Sequence, residues 1–541
     1  MSITVFDLEE NTFSKDSKAG LRTTPWRMIA VLFLLAATVR LYVLLNTAVI
    51  SIDGIEYINI AKLYGSFRFN EALSHNYPPM YPALIALFQL PGFSWEFAGQ
   101  LVSFTAGVLM LLPIFFLIRR IYNSTKCRVA LVAGLLLACQ PELARYSGQV
   151  RSESTYILFA VCAVFFGWRA ISSSRGHFFA LSGLFATFAY LTRPEGLGFL
   201  AIICAWVLLG IPKRFRLPWK RRFAGIGIAL LPTVMIAGSY MTYITVARAS
   251  NKEPFGIRLT LKRSVSSLFS GKYISEEYRP NKESLPERLS FAVPVLGWLR
   301  SYAELTGRLL CKDLYPLLTL LLLLALLRRK ENPRDGPFEV FILITVLFHI
   351  GLFSLVRVCH RLPVQLVAHL LFLPALGFFE LTALVRDKFK LSVRAYRRVS
   401  TVILIVVLAA MTQQFLAPER IKRQGVKLCG QWIKKNHANP NPRISTDLMR
   451  VVFYADGVHA KLPARFLDRK KKVIEKQALQ RMIGERCADF IALDAHTVSK
   501  EDMKYLRSHP RLEIVDIFSP VSGKSQRVVL FRIGKESKQG R

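Results

Sequence analysis

Acidic residues are scarce in this chain. Only 36 Asp and Glu stand against 73 Lys and Arg, a surplus of +37, and all charged residues together make up 20% of the sequence. Such a surplus would suit a nucleic-acid binder if it formed a basic face. Here the basic residues fall in short blocks between apolar runs, the place where membrane proteins keep them, so no nucleic-acid partner is expected. Cysteine is sparse as well, with eight in 541 residues. Cys139, Cys162 and Cys204 lie inside apolar runs, where small hydrophobic packing is their ordinary role. Cys429 and Cys487 are the only pair beyond the last apolar run, and an oxidising compartment would permit a bond between them. No Cys/His spacing resembles a zinc site. No cofactor is indicated, and a divalent metal is possible without being called for. Internal repeats, low-complexity tracts and a cleavable leader are also missing. The polar segment Met1–Arg27 is long, and no small-residue cleavage site follows the first apolar run. These absences exclude a disordered chain and a secreted disulfide scaffold.

Apolar length is what the chain has in abundance. Hydrophobic residues, glycine not counted, reach 52%, and they come in unbroken runs rather than amphipathic stripes. A bilayer crossing needs about 20 mostly apolar residues. Runs of that kind lie near 27–46, 97–118, 129–145, 154–170, 178–192, 196–212, 223–246, 309–327, 338–356, 363–385 and 399–417. The expected fold is therefore an α-helical polytopic membrane protein with about eleven spans. Basic blocks follow the second run (Arg119, Arg120, Lys126, Arg128), the sixth (Lys213, Arg214, Arg216, Lys220, Arg221, Arg222), the eighth (Arg328, Arg329, Lys330, Arg334) and the tenth (Arg386, Lys388, Lys390, Arg394, Arg397, Arg398). Eleven spans put all four blocks on one side. By the positive-inside rule that side is cytoplasmic, with the N-terminus inside and the C-terminus outside.

Three segments divide the chain on this reading. Residues 1–26 form a cytoplasmic tail, 27–417 the membrane module with outer loops 47–96 and 247–308, and 418–541 a polar domain outside the membrane. The loop 247–308 mixes Arg258, Lys262 and Arg263 with Leu259, Leu261 and Leu268, a pattern suited to an interfacial lid. The C-terminal piece carries strand-like runs at Val451–Tyr454, Phe490–Leu493 and Val528–Phe531, and helix-like stretches around 421–435 and 499–507. Pro440-Asn441-Pro442 marks a turn before its first strand. A small α/β domain is expected. From residue 418 onward 27 Lys and Arg face 13 Asp and Glu, which suits an anionic membrane surface or an acidic glycolipid. It has no carboxylate–arginine constellation, so positioning or acceptor choice is its expected part.

Ionisable groups at span ends carry the functional signal, because burying them without a purpose is costly. Beyond the first run comes Ser51-Ile52-Asp53-Gly54-Ile55-Glu56-Tyr57. If residues 53–64 are helical, Asp53, Tyr57, Ile60 and Tyr64 share a face, and a carboxylate there can take a proton from a hydroxyl. Asp53 and Glu56 also have the D-x-x-E spacing of a capping box, the plainer reading of the pair. His75-Asn76-Tyr77-Pro78-Pro79-Met80-Tyr81-Pro82 is a rigid approach to an apolar helix. Arg151-Ser152-Glu153 lies in the turn between the third and fourth runs, Arg193-Pro194-Glu195 between the fifth and sixth, and Arg357 through Pro363 before the tenth. Snorkelling covers many such arginines. It covers Arg40 poorly, because that residue stands several positions inside the first run.

The ordered set resembles a family. Asp53-x-x-x-Tyr57, Pro78-Pro79-x-Tyr81-Pro82, Arg151-Ser152-Glu153, Leu191-Thr192-Arg193-Pro194-Glu195-Gly196 and Arg361-Leu362-Pro363 together look like the GT-C superfamily of polyprenyl-phosphate-sugar glycosyltransferases. Within it the likeness is to the family 39 branch of protein mannosyltransferases and lipid A aminoarabinose transferases. In the tail, Gln431-Trp432-Ile433-Lys434 and Ala455-Asp456-Gly457 resemble bacterial members. The resemblance implies an inverting transfer from a polyprenyl-phosphate sugar to a lipid, glycan or protein hydroxyl on the outer face of a bacterial inner membrane. It matches Asp53 to the family's general base and Glu153 to a second acid, with Glu56 a third candidate. Gly54 stands where an adjacent acid is common, Glu56 where aminoarabinose transferases carry an arginine, and Tyr77 where they carry a lysine. Phosphate contacts then fall to Arg361, Arg193, Arg151, His360 and Arg40, and substrate contacts to Tyr57, His75, Tyr77 and Tyr81. Three other classes compete: a lipid-linked-sugar transporter, a polysaccharide polymerase or ligase, and a receptor working through its outer tail. A transporter would carry an inverted repeat with paired broken helices, which the sequence does not display.

Overall fold

The computed structural model describes residues 26–75, 77–122, 127–211, 217–250, 292–328, 336–356, 361–468, 471–519 and 526–534. Most of the lid segment expected at 247–308, including Arg258, Lys262 and Arg263, lies outside the described residues, as does His360. The chain divides into two compact units. One holds residues up to Leu44 and Tyr57–Leu416; the other holds Leu45–Glu56 and Ala417–Arg541.

In the first unit every apolar run is helical. Among the described residues six helices are long and apolar enough to cross a membrane: Trp26–Leu45, Trp95–Ile121, Glu153–Ser173, Trp219–Val246, Gly336–Phe353 and Val393–Gln413. Three bent pairs raise the number to nine if each is one span, and Gly176–Thr192 and Pro194–Leu209 are shorter apolar helices.

The bends have chemical causes. Arg128–Cys139 meets Pro141–Ser147 at 56°, because Pro141 has no N–H to donate to Leu137 O and cannot continue the ladder. Gln140 caps the new helix, its side chain accepting from Leu143 N. Val364–Leu370 meets Phe372–Phe389 at 49°, where Pro374 likewise denies Leu370 O a donor. The run expected as a straight span at 309–327 turns by 108° between Ala303–Leu314 and Pro316–Leu327. Tyr315 at the corner has φ +83° and Pro316 opens the second helix, so the corner stores backbone strain in a non-glycine residue.

Packing is tight where glycine replaces a side chain. A Cβ on Gly183 would stand 1.8 Å from Ala229 O, and one on Gly377 would stand 1.8 Å from Leu321 O. Both helix pairs therefore approach backbone to side-chain-free backbone, as membrane helices do through small residues.

Arg40 is fully buried. Its Nη1 donates to Ala138 O at 3.1 Å and to Ala36 O at 3.3 Å, and its Nη2 donates to Leu137 O at 3.3 Å. Leu137 O is the carbonyl that Pro141 leaves without a backbone donor. A cation at a helix C-terminus is also favoured by the dipole. The structure thus shows Arg40, expected from the sequence as a phosphate contact, engaged at the break at Pro141.

The second unit contains a five-stranded sheet in the order β2-β1-β5-β7-β6. The strands are β1 Arg443–Ser445, β2 Val458–Ala460, β5 Phe490–Asp494, β6 Leu512–Phe518 and β7 Val528–Ile533. β1 runs parallel to β2 and β5, and β7 runs antiparallel to β5 and β6. β3 Ala464–Asp468 and β4 Lys471–Ile474 form a separate hairpin pair. Phe490 and Ala492 face one core with Val426, Cys429 and Ile433, while Ile491 and Leu493 face the other with Leu479, Met482 and Leu506. Covered on both faces, β5 is apolar at nearly every position, which is why it reads as a continuous run. Val451–Tyr454, expected as a strand, lies in the helix Met449–Tyr454. Parallel β1 and β2 cannot be joined by a tight turn, and the crossover between them is helical despite its β-branched residues. Cys429 is buried, Cys487 exposed, and both thiols are free.

Candidate active site

Asp53 stands in the first turn of the helix Ile52–Gly65. Ser51 is the cap, its Oγ accepting from Gly54 N at 2.9 Å, because a short hydroxyl just before the helix reaches that N–H with the least strain. Asp53 is therefore not needed as the N-cap. Asp53 and Glu56 are both half-buried.

Tyr57, one turn beyond Asp53, belongs to the membrane unit. Its hydroxyl meets Ser152 Oγ at 3.0 Å. The Tyr77 and Tyr81 rings stand edge-on to it, at 5.1 and 4.9 Å between centroids. Tyr81 is buried; its hydroxyl donates to Gly99 O at 3.0 Å or shares a proton with Ser103 Oγ at 2.8 Å, and Ser103 donates to Arg151 O at 2.9 Å. Burial pushes the Tyr81 hydroxyl well above its usual pKa. The three tyrosines thus brace the turn that carries Arg151-Ser152-Glu153. Met80 opens the helix Met80–Gln89 directly behind Pro78-Pro79, and His75 ends the helix Phe69–Ser74.

Glu153 opens the helix Glu153–Ser173 and is 2% exposed. Arg193 Nη1 lies 3.5 Å from its Oε1, and Arg361 Nε lies 4.0 Å from the same oxygen. Arg193 also holds Glu195, Nε to Oε1 at 3.0 Å. Gln365 Nε2 donates to that Glu195 oxygen at 3.3 Å. Burial alone would raise the Glu195 carboxyl, but Arg193 beside it and the donors around it more than offset this and hold it below its ordinary value. Two guanidiniums and two carboxylates, drawn from three separated stretches of sequence, therefore form one largely buried ionic group. Such groups shape functional sites more often than they stabilise a fold.

Not every sequence candidate joins this group. The Arg151 guanidinium lies over the Tyr146 ring at 5.1 Å. Arg40 serves the Pro141 break, as described above. Glu195 and Gln365 belong to the group although sequence reading gave them no role. Glu195 follows Arg193 at the minimum spacing a proline turn allows, and Gln365 is one helical turn past Arg361, which was the available signal. Among the described residues, no group of three or more His, Cys, Asp or Glu could hold a metal ion.

Residues 76–237 match the family model described as dolichyl-phosphate-mannose-protein mannosyltransferase. That stretch includes the Pro-Pro, Arg-Ser-Glu and Arg-Pro-Glu motifs and stops short of Asp53 and Arg361. Among solved structures, ArnT from Cupriavidus metallidurans bound to undecaprenyl phosphate is similar, with TM-score 0.58 and 15% identity over 94% of this chain and 99% of that one. Its apo state gives TM-score 0.55 and 14% identity over the same shares. The Archaeoglobus fulgidus oligosaccharyltransferase, in complex with zinc and sulfate, gives TM-score 0.52 and 13% identity over 86% of this chain and 68% of that one. No curated protein sequence matches the chain. The chain is a multi-pass membrane protein with an ArnT-like fold.

Proposed function

We propose that this protein is an inverting glycosyltransferase that moves a sugar from a polyprenyl-phosphate donor to a hydroxyl acceptor. The observation that carries the reading is the buried pairing of Glu153 with Arg193 and Arg361 in a chain of GT-C fold. As the glycosidic bond breaks, its electron pair stays on the phosphate oxygen, and the departing polyprenyl phosphate gains negative charge. Arg193, largely desolvated and held in place, stabilises that charge without reorganising, and the more exposed Arg361 adds a second positive charge beside it. Glu153 and Glu195 keep them oriented, His75 and Tyr77 line the approach for substrate, and the buried Tyr57 and Tyr81 brace the turn behind it.

Asp53 is the general base on this reading. An alcohol does not surrender its proton to a carboxylate in the ground state, so proton transfer to Asp53 accompanies attack on the anomeric carbon from the face opposite the phosphate. Such assistance contributes about 10²–10⁴-fold. Eleven spans supply the lipid-facing surface a prenyl chain needs. The N-terminus is cytoplasmic, and the tail is periplasmic in a bacterial inner membrane. The acceptor is a lipid, an envelope glycan or a protein, and comparing those three fractions from wild-type and deletion strains assigns it.

Asp53→Asn tests the mechanism. Asparagine keeps the size and most hydrogen bonds while removing the proton acceptor, so donor binding by the purified protein should survive while turnover falls at least about 100-fold. Since Ser51 supplies the cap, no loss of helix stability should accompany it. Normal transfer by Asp53→Asn would sink the mechanism and leave the fold untouched.

A further inference from the structure

The backbone immediately ahead of Asp53 is held by side chains from the other end of the chain. Within the second unit, Thr47 forms a parallel bridge with Glu419. Ala48 N donates to Glu419 O, and Glu419 N donates to Asn46 O, both at 3.1 Å. Arg420 Nη1 then donates to Val49 O at 3.4 Å. Ile50 is gripped on both of its polar groups: its N–H donates to the Tyr454 hydroxyl at 2.9 Å, and its carbonyl accepts from Arg450 Nε at 2.7 Å. Arg450 and Tyr454 are four residues apart in the helix Met449–Tyr454, so both project from one face. Val49, Ile50 and Ser51 are all buried, and their peptide groups depend on these protein partners. Ser51 follows Ile50 directly and caps the turn that carries Asp53.

We propose that Arg450 and Tyr454 are positioning residues for Asp53, and that the C-terminal domain is the mount on which the general base is aimed. The proposal rests on the reading of Asp53 as base. Two bonds to the N–H and C=O of one residue fix the rotation of the peptides on either side of it, which a single bond would not. The next residue is the cap and the one two further on is Asp53, so little slack remains between the grip and the carboxylate. A general base works within a few tenths of an ångström of its hydrogen-bond distance, and a misplacement of about 1 Å costs about 100-fold. Neither Arg450 nor Tyr454 acts on substrate; each acts through the Ile50 peptide.

The test uses full-length protein in lipid nanodiscs with four variants: Arg450→Ala, Arg450→Lys, Tyr454→Phe and Asp53→Asn. Turnover is followed as release of polyprenyl phosphate from the lipid-linked sugars of a native lipid extract, binding is measured with undecaprenyl phosphate, and hydrogen exchange is read on the peptide covering residues 46–53. Tyr454→Phe and Arg450→Ala should speed exchange at Val49–Ser51 and lower kcat about 10- to 100-fold. Undecaprenyl phosphate affinity and Tm should stay within error. Arg450→Lys should recover part of the rate, since an ammonium can still donate to Ile50 O. Unchanged exchange, unchanged turnover, or parallel losses of binding, Tm and kcat would each overturn the proposal, the last by revealing a purely structural role. If Asp53→Asn is inactive while the clamp variants turn over normally, the base reading stands and the mount fails. If Asp53→Asn is active, the base reading fails, and with it the catalytic meaning of any exchange effect.

Discussion

At the scale of single residues, a guanidinium that is already pinned answers a phosphate differently from one that is loosely paired. Arg193 is fixed by Glu195 at 3.0 Å and is 17% exposed, whereas Arg361 lies 4.0 Å from Glu153 and is 37% exposed. On the proposed function, the more exposed Arg361 is the one placed to meet a departing phosphate, and Arg193 has the greater part in holding the carboxylates. Arg361→Ala should weaken donor binding and lower turnover by about 10²–10³-fold together. Arg361→Lys should recover only a fraction, because a point charge cannot reproduce a two-pronged hold. Donor titration with initial rates on both variants checks this, and a loss confined to KM would count against a leaving-group role. The residue types of the group were legible in sequence because buried charge in an apolar chain is conspicuous. Its membership was not. Arg40 and Arg361 look alike as isolated arginines, and only the missing N–H of Pro141, placed in space beside Arg40, separates the two roles.

At the scale of elements, hydropathy found every apolar helix but not their breaks. The run 309–327 is broken only by Lys312 and Asp313 just ahead of Tyr315 and Pro316, and its hydropathy alone does not report a 108° corner. Proline marks that corner and the other two bends, yet proline also opens straight helices, so its meaning is settled by packing. The crossover helix Met449–Tyr454 was hidden for a different reason, since its Val-Val-Phe-Tyr run favours a strand locally and the parallel pairing of β1 with β2 overrides it. Close helix approach gives the prediction at this scale. Gly183→Ala forces Ala229 O away from a new Cβ and should destabilise the bundle by about 1–3 kcal/mol. Gly227→Ala, with no heavy atom within 4 Å of its new Cβ, should be tolerated. Thermal unfolding of the two variants in the same detergent measures the difference, and equal Tm values would argue against the tight contact.

At the scale of the whole molecule, eleven apolar runs and four basic blocks imply one orientation. Reporter fusions at Leu217 and Lys390 should read cytoplasmic, and one at Arg443 should read periplasmic. A cytoplasmic Arg443 would remove a span from the count. The α/β class of the tail was legible from its strands, but the recruitment of residues 45–56 into it was not, because contacts across some 400 residues leave no local pattern. That separation also sets a schedule. Ile50 leaves the ribosome 400 residues before Arg450 and 404 before Tyr454, a gap of roughly 20–80 s at ordinary synthesis rates. Throughout that interval the helices can insert and pack while the Ile50 peptide still waits for its partners. If Asp53 is the base and Arg450 and Tyr454 position it, a nascent or prematurely released chain would hold its membrane helices but not its aimed carboxylate, and competence would arrive only once the later-made domain folds.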